Sequence, residues 1–510
     1  MLSIQILLVG AAFLCLVHPL LLYLWDRKRL RRFPNHTKLS GITGLGYVYE
    51  RCRGFRSRSL HLAHQQHRII RIGPNSLSFS SPEAIRSIYG HSTPCYKGDM
   101  YDLTRGGHAN LLDVVDKGEH ARKRRLLSNA FATRNVQQWE FKIADKVRRL
   151  LAQFDASCGN GGQGQIDFRR WTNLFTVDAI TDIAASYRTG CLDRGDDFIK
   201  FSGGDGDERR CRYIECLHAP RRLNSIVVWC GSWFPWLRRI LGLLPGLRSR
   251  WQKGLLFDEL ASHVAYQRVQ RHVDGEEVDD LVGSLLQDKQ GLPRNLDIGE
   301  VTAEMILFMD AGSDTTAIAL THVMYYLLRN PEALSRLRQE VDEAVAADVV
   351  IVPDATVRNL PYLRACLDES LRLSPPVAFG LNRKTPEEGM HIDGHWIPGG
   401  TTVAVPAYTA HRNPDVFDGP EEFRPERWLS DGAKKAQASF IPFSTGGRGC
   451  IGRNISYMEQ SILVATLIRR YDFELPSPDW QLQWEEAFNL WPGPMPLSIR
   501  RRVPSSDCVQ

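Results

Sequence analysis

The sequence predicts a mainly helical protein with a minor β component, folded as one large domain after an apolar amino-terminal helix. Three observations support this: helical patterns dominate, short strand-and-turn patterns occur around residues 390–405, and no repeat or low-complexity linker divides the 510 residues. With 43% hydrophobic residues, a chain of this length can bury a large core. We therefore expect residues 26–510 to form a single large domain.

The first element, residues 1–25, is predicted to be a transmembrane anchor. An uncharged, mainly apolar run extends from Leu2 to Leu24, which is long enough as a helix to cross ~30 Å of hydrocarbon. Trp25 ends the run, and the basic cluster at 27–32 places the rest of the chain on the cytosolic side. The alternative is a cleaved signal peptide, which would usually begin with basic residues and have a shorter apolar core.

Charge and cysteine content exclude several classes of protein. A net charge of +6 and a pI near 8.7 are too mild for a dedicated nucleic-acid binder, so we expect no nucleic-acid partner. The eleven cysteines are odd in number and include no CxxC pair. Neither a disulfide framework nor a zinc knuckle is therefore indicated.

The central helices are predicted from their caps and their apolar runs. A capping-box-like Asp297-x-x-Glu300 precedes a long apolar helix from Met305 to Leu328, and Asn330-Pro331 begins the next helix. A further helix from Leu360 to Leu373 ends at Pro375-Pro376, because proline disfavours helix both at its own position and before it.

The β region follows this helix as consecutive short strands. Met390–Ile392, Trp396–Ile397 and Thr401–Val405 are separated by an Asp393-Gly394 turn and by a turn at 398–400. A last long helix is expected from Asn454 to Ile468.

The stretch from Trp229 to Leu247 is rich in apolar and aromatic residues, with Arg238 and Arg239 alongside. Two interpretations remain open for it. It can be a helix that touches a membrane surface, or a buried helix pair with a loop, because both have the same periodicity.

One loop demands a chemical explanation. The pattern Phe443-x-x-Gly446-x-Arg448-x-Cys450-x-Gly452 surrounds a single cysteine with glycines just before a helix. Glycine permits left-handed backbone and the close approach of a flat ligand, and a helix amino terminus favours a thiolate. A phosphate cradle is disfavoured because no GK[ST] follows, while a buried structural cysteine remains the simplest alternative.

A polar interruption divides the long apolar helix. Residues 311–316, Ala-Gly-Ser-Asp-Thr-Thr, include Asp314 and Thr315 in the middle of an otherwise apolar run. Unpaired polar groups are costly to bury, so an opening for a ligand explains the segment better than a solvated helix face does. Asp310 lies just before it and either points away or binds a polar group of a substrate.

The cysteine pattern resembles, in full, the haem-binding signature of the cytochrome P450 superfamily. The resemblance implies the P450 fold and haem b as cofactor, with Cys450 as the axial thiolate and metal ligand. Arg448 would then pair with a haem propionate and Phe443 would pack near the sulfur. An axial thiolate donates electron density to iron and favours cleavage of the O–O bond.

Three further motifs are similar to those of the family and stand in its order. Asp314 and Thr315 match the acid and alcohol that deliver protons during dioxygen activation. Glu369-x-x-Arg372 resembles the ExxR motif, and the segment around Arg427 resembles the PERF motif with Trp428 in the aromatic position. Glu369, Arg372 and Arg427 would form a buried ionic triad with a structural role.

By the same resemblance, His120, Arg124 and Arg383 are further partners of the haem propionates, although many relatives carry Trp where His120 stands. Neighbouring basic residues would suit the docking of an acidic reductase surface; these are Arg122, Lys123 and Arg125.

The implied function is that of a fungal microsomal monooxygenase, similar to benzoate para-hydroxylases and to enzymes of secondary metabolism. It would be a single-pass protein of the endoplasmic reticulum membrane with a cytosolic catalytic domain. Electrons would come from NADPH through a separate cytochrome P450 reductase, with cytochrome b5 as a second donor. An apolar small molecule would contact four segments, namely 101–112, Met309, 377–380 and 489–494.

Two other functions stay open at this point. A haem-thiolate isomerase or dehydratase would need no reductase, and the Asp314-Thr315 pair argues against it. A non-catalytic haem sensor or membrane scaffold would bind haem without turnover, and the same polar segment argues against that too.

Overall fold

The computed structural model describes residues 13, 17–159, 161–277 and 279–502. Most of the predicted anchor at 1–25 lies outside these residues, and its described end forms helix α1, His18–Trp25. Among the described helices, none combines the length and the apolar character that a membrane crossing requires. The expectation of an anchor therefore stays a prediction.

Helices make up most of the described chain, as predicted. After α1, the helices before residue 200 are α2 Leu45–Cys52, α3 Arg56–His64, α4 Pro82–Tyr89, α5 Met100–Thr104, α6 Lys117–Ser128, α7 Thr133–Val136, α8 Glu140–Cys158, α9 Phe168–Ala185 and α10 Cys191–Arg194. The later helices are α11 Tyr213–Val227, α12 Phe234–Leu241, α13 Pro245–Val273, α14 Gly283–Leu286, α15 Ile298–Arg329, α16 Pro331–Ala344, α17 Asp354–Val357, α18 Pro361–Leu373, α19 Ala407–Ala410, α20 Ala433–Ser439 and α21 Arg453–Arg470.

The strands are short and form separate small sheets. They are β1 Ile69–Gly73, β2 Ser76–Phe79, β3 Tyr96–Lys97, β4 Gln163–Asp167, β5 Phe198–Ser202, β6 Glu208–Arg212, β7 Arg383–Lys384, β8 Met390–Ile392, β9 His395–Ile397, β10 Thr402–Ala404, β11 Tyr471–Glu474, β12 Trp484–Glu486, β13 Leu490–Pro492 and β14 Pro496–Arg501. Five strands pair in the order β1-β2-β10-β7-β3, and three in the order β11-β14-β4. The other pairs are the hairpins β5-β6, β8-β9 and β12-β13.

Helix α15 runs through the main core and positions the functional segment. Its neighbours α9, α13, α18 and α21 pack against it, and Ile318, Leu320 and Val323 are fully buried. The side chain of Asp297 accepts the N–H of Gly299 and so caps the helix amino terminus as predicted. The helix begins at Ile298, seven residues before the expected apolar start at Met305, because its first turns are amphipathic.

The β region differs from the sequence expectation in its topology. The strands β8 and β9 form the predicted hairpin, and Asp393 and Gly394 both have positive φ at its turn. The next strand, β10, does not extend this hairpin. It pairs in parallel with β2, more than 300 residues earlier, at Thr402↔Ser76. Such long-range pairing leaves no local pattern in the sequence.

The aromatic stretch at 229–247 is neither wholly buried nor one helix. A 3-10 turn (Val228–Trp233) leads into α12, where Phe234 is buried against the core. In contrast, Trp233 is 61% exposed and Trp236 is 59% exposed, and Leu243 is exposed as well. The interpretation as a buried helix pair is therefore wrong for these exposed side chains, and contact with a membrane stays a prediction.

Candidate functional site

The cysteine loop is closed by backbone contacts that require glycine. The N–H of Cys450 donates to the carbonyl of Phe443 at 2.8 Å. Gly446 has φ +70°, and a Cβ there would lie 2.0 Å from the carbonyl oxygen of Tyr89. A side chain at this position would therefore clash with backbone as well as strain φ. The loop brings Cys450 to the start of α21, three residues before its first helical residue.

The environment of the Cys450 side chain is open on one side and closed on the other. The side chain is accessible on its open side, yet protein surrounds it closely enough that burial raises the pKa of the thiol. The N–H groups of Gly452 and Arg453 and the charge of Arg124 act in the opposite direction, because they favour the thiolate. The sulfur thus has fixed hydrogen-bond donors behind it and open space in front of it.

A group of basic side chains, which we call the cation cluster, lies beside this loop. Its members are Lys97, His120, Arg124, Arg383 and Arg448. In the part of the chain that the structure describes, none of the five forms a salt bridge with a carboxylate. Their polar contacts are with carbonyl groups instead: Arg448 donates to Val114 O at 2.8 Å and Arg124 donates to Gly449 O at 2.6 Å.

The members of the cation cluster repel one another electrostatically, and this repulsion lowers the pKa of His120 and of Lys97. Burial, then the charges of Arg448, Lys97, Arg124 and Arg383, lower the pKa of His120 to about 3. Burial, then Arg448 and Arg383, likewise lower the pKa of Lys97 to about 6. Asp113 and Glu304 offset only part of this repulsion at Lys97, and buried basic groups without salt-bridge partners are unfavourable when charged, so this cluster suits a ligand that carries carboxylates.

The donor set therefore fits haem. The accessible thiol of Cys450 would supply an iron ligand, and the cation cluster would supply partners for two propionates. Four of the five cations were predicted from motifs. Lys97 was not, because a single lysine after Tyr96 carries no pattern in the sequence.

The polar segment of α15 lies next to the helix that follows Cys450. The hydroxyl groups of Thr316 and Ser456 are 3.0 Å apart and join α15 to α21. Thr315 is half-buried beside the exposed Ala311, and its hydroxyl donates to the Ala311 carbonyl at 2.7 Å. This accessible patch interrupts a helix that is otherwise buried on both sides, which agrees with an opening for a ligand.

Asp314 turns into the protein. Its side chain is fully buried and accepts hydrogen bonds from side chains on three other elements. Burial alone would raise the pKa of Asp314, but His218, Arg169 and Arg221 lower it below the ordinary range of a carboxyl. The group is thus an anion in the resting protein. Sequence reasoning found Asp314 but none of these partners.

Asp310 forms an ion pair with Arg221 of α11. Since the pair is intramolecular, Asp310 is already neutralised in the described structure.

The expectation that Arg122, Lys123 and Arg125 together offer a docking surface is wrong in part. Lys123 is buried and pairs with Glu300 at 2.7 Å, and Arg122 pairs with Glu119 at 2.7 Å, which leaves Arg125 exposed.

The three residues of the predicted triad lie together on the cysteine side. Glu369 pairs with Arg372 at 2.8 Å and with Arg427 at 2.9 Å, and Trp428 Nε1 donates to the same carboxylate at 2.9 Å. Arg372 also donates to the carbonyls of three loop residues, His411, Pro420 and Glu422. The acid and base of the ExxR motif therefore fasten the long loop that leads to the cysteine.

An apolar cluster lies where substrate contacts were expected. It draws buried side chains from α5, from α11 and α12, and from the loop after α18. These are Met100, Tyr101, Leu223, Val227, Phe234 and Phe379. Phe488, at the β12-β13 turn, packs edge-on against Phe379 with ring centroids 5.1 Å apart. Met309, in contrast, is fully buried and belongs to the main core.

Comparison with known proteins agrees with this geometry. The family model for cytochrome P450 matches residues 60–495. The chain is 30% identical to the benzoate 4-monooxygenase of Aspergillus niger, with 98% of each chain covered. It is 32% identical to the cytochrome P450 monooxygenase AMT3 of Alternaria alternata, with 97% of each covered.

It is also 31% identical to the averantin hydroxylase of Dothistroma septosporum, over 92% of this chain and 88% of that one. Among solved structures, the fold matches the haem domain of cytochrome P450DA with a TM-score of 0.73 and 20% identity, over 88% of this chain and 93% of that chain. With its haem-type cysteine loop and the match over most of its length, the chain belongs to the cytochrome P450 family and is a haem-thiolate monooxygenase.

Proposed function

We propose that this monooxygenase hydroxylates a small, largely apolar substrate, with Cys450 as the axial ligand of haem iron. The observation that carries the proposal is the meeting of three features in one region. These are the thiol of Cys450, the cation cluster, and the Thr315 patch of α15. The first two suit the cofactor, and the third supplies the polar groups that proton transfer needs.

Each part of the site has its own task. Cys450 would hold the iron, and the cation cluster would pair with the two propionates. When bound, the haem supplies the binding and activation of dioxygen. The Thr315 hydroxyl and the Asp314 carboxyl hold and move protons, while the apolar cluster orients the substrate and excludes water.

We propose that electrons come from NADPH through a separate cytochrome P450 reductase, with cytochrome b5 as a second donor. Exposed cations close to Cys450 support docking of an acidic partner. The guanidinium groups of Arg364 and Arg453 lie 3.7 Å and 5.6 Å from the ring of Tyr457, which packs on Phe443. Arg364 pairs with Asp368 at 2.9 Å, so Arg453 and Arg125, which are both exposed, offer the positive charge for docking.

The substrate class we propose is an aromatic compound or another apolar precursor in secondary metabolism. Relatives named for the oxidation of benzoate and of averantin support this class. The aromatic edges of Phe379 and Phe488 in the apolar cluster suit a flat apolar ring.

We propose further that the protein is bound to the endoplasmic reticulum membrane, with its catalytic domain at 26–510 in the cytosol. The apolar run at 1–25, the basic cluster behind it, and the exposed tryptophans around α12 support this location.

The experiment that tests the function is turnover in membranes that contain the protein and a reductase. Metabolites of cells with and without the protein identify the substrate, and isotope-labelled dioxygen then shows whether one oxygen atom enters the product. We expect NADPH use that depends on substrate, and a labelled hydroxyl group. Product formation without reductase and without label would instead indicate an isomerase or dehydratase, and haem binding without turnover would indicate a sensor.

The thiolate assignment has a separate test. Cys450→Ala should abolish the thiolate-type absorption band of the ferrous carbonyl complex, while Cys366→Ala, at a buried cysteine elsewhere, should retain it. Retention of the band in Cys450→Ala would contradict the assignment.

A further inference from the structure

The environment of Asp314 raises the question of how this carboxylate obtains protons. Its side chain is 0% exposed, so water does not reach it in the described structure. Four side chains donate hydrogen bonds to it: Asn489 at 2.7 Å, Trp491 at 2.8 Å, His218 at 2.9 Å and Arg169 at 3.2 Å. Arg221 adds its charge at 3.8 Å. A proton that leaves Asp314 toward Thr315 must be replaced through one of these neighbours.

Chemistry selects one neighbour among the five. The guanidinium groups of Arg169 and Arg221 stay protonated at physiological pH, and the Asn489 amide and the Trp491 indole are donors but not acids. Imidazole is the side-chain type that gains and loses a proton near neutral pH, and its two nitrogens let it accept on one edge and donate on the other. His218 is therefore the group through which a proton can pass.

The position of His218 fits this task. Its side chain is 22% exposed, whereas Asp314 is fully buried, so the ring connects water to the carboxylate. The ring stacks on Trp491 with centroids 4.1 Å apart and an angle of 24° between the planes. The stacking holds Nε2 at the carboxylate and leaves Nδ1 on the opposite edge of the ring.

Charged groups of both signs lie around the ring. Helix α15 presents Asp310 and Asp314, which are opposed by Arg221 of α11 and by Arg169 of α9. Farther out, the remaining charged groups are Arg222, Glu485 and Asp258; Arg222 and Glu485 form an ion pair between α11 and β12. Two acids and two arginines therefore lie nearest to the ring, in equal numbers of negative and positive charge.

We propose that His218 relays protons from water to Asp314, and acts on the reaction through that carboxylate. In each relay, Nδ1 gains one proton from water and Nε2 gives one proton to Asp314, so the ring stays neutral overall. The ring then returns to its first tautomer by turning toward solvent, where Nδ1 releases its proton and Nε2 takes one up. This inference rests on the proposed use of Asp314 as proton donor. A monooxygenase consumes two protons and two electrons for each dioxygen, with one oxygen leaving as water, so the path is used in every cycle.

The test is His218→Gln in the full-length, haem-loaded protein with its reductase. Glutamine retains a donor within reach of Asp314 but does not carry a proton. We expect product formation to fall by about 10-fold or more, with NADPH diverted to hydrogen peroxide and a larger solvent isotope effect. The pH profile of the rate should also differ from that of the wild type. Haem content and the ferrous carbonyl spectrum should be unchanged.

Asn489→Ala is the matched control, because it removes another hydrogen bond to the same carboxylate but no relay. A lower rate in this variant is compatible with the proposal, but its solvent isotope effect and pH profile should match those of the wild type. Equal changes in the pH profiles of the two variants, or a wild-type profile in His218→Gln, would overturn the proposal. A wild type that oxidises no substrate would instead count against the proposed function.

A measurement independent of turnover uses the ferrous carbonyl form with isotope-labelled histidine. Nuclear magnetic resonance of the ring nitrogens reports whether His218 is singly or doubly protonated. The relay requires both states, or exchange between the two tautomers, at the pH of turnover. A single fixed state at every pH would overturn the relay even if activity were lost in the variant.

Discussion

At the scale of single residues, the described structure contains acids with opposite environments. Glu369 is buried among cationic and N–H donors, whereas Glu459 is buried with Thr316 as its hydrogen-bond donor and no cation among the groups that shift its pKa. The first must be an anion for its partners to be satisfied. The second is more stable as a neutral acid, because burial raises the pKa of Glu459 to about 8.

Glu369→Gln should lower the free energy of unfolding by about 3–5 kcal/mol, because it leaves two buried arginines without a counter-charge. Arg372 is fully buried and Arg427 nearly so. Urea unfolding of the haem-loaded protein measures the change. The control is Arg68→Gln, which breaks an exposed pair with Asp415 and should cost less than about 1 kcal/mol. Equal losses in the two variants would contradict the structural role of the triad.

Glu459→Gln should change the pH dependence of stability. The folded wild type holds a proton on Glu459 up to about pH 8, whereas the unfolded chain releases it near the ordinary carboxyl pKa of about 4.3. Between these values the folded state binds more protons, so wild-type stability falls as pH rises. Glutamine does not titrate, so the free energy of unfolding of the variant does not fall in this way. As pH rises, the variant should become more stable relative to the wild type by a few kcal/mol in all, on the order of 1.4 kcal/mol for each pH unit.

Unfolding by urea at about pH 5 and about pH 8 checks this prediction. The control is Glu83→Gln, which removes an exposed carboxylate from α4. If the stability difference between Glu459→Gln and the wild type is the same at both pH values, the buried acid is not protonated.

At the scale of elements, the contact between α15 and α9 decides where the polar segment lies. Gly312 stands against Ile180 of α9, and a Cβ at Gly312 would come within 2.4 Å of Ile180 Cγ1. The glycine that the sequence suggested as an opening for a ligand therefore also permits close packing of two helices. This second role depends on a residue 132 positions earlier in the sequence.

Gly312→Ala should destabilise the protein by about 1–3 kcal/mol through overpacking at this contact. Ile180→Ala alone should cost about 2–5 kcal/mol through the cavity that it leaves. In the double variant, the new methyl group occupies part of that cavity. The double variant should therefore lose less stability than the sum of the losses of the two single variants. Thermal unfolding of the four proteins measures the coupling, and strict additivity would contradict the contact.

At the scale of the whole molecule, two apolar features outside the core bear on membrane contact. The first is the amino-terminal run, and the second is the exposed surface around α12 with Trp233, Trp236 and Ile240. The packed core begins at Leu30, which is fully buried, so a truncation before this residue leaves the core intact.

The form that begins at residue 26 should therefore fold, bind haem and dissociate from membranes in alkaline carbonate, whereas the full chain should resist extraction. The truncated form should still bind lipid vesicles weakly through the α12 surface. Trp233→Ser with Trp236→Ser should abolish this residual binding, and Trp396→Ser, at another exposed tryptophan, should not. Carbonate release of the full chain would contradict the anchor.

The sequence by itself determined the helical class, the caps and ends of the central helices, and the residues of the cysteine loop, because these depend on local pattern and on one unbroken motif. Only the tertiary structure decided which charged side chains are paired with a partner and which are not. It pairs Lys123 with Glu300, adds Lys97 to the cation cluster, and surrounds Asp314 with donors from three distant elements. These arrangements arise from contacts between segments far apart in the chain, and such contacts leave no periodicity that a sequence pattern can show.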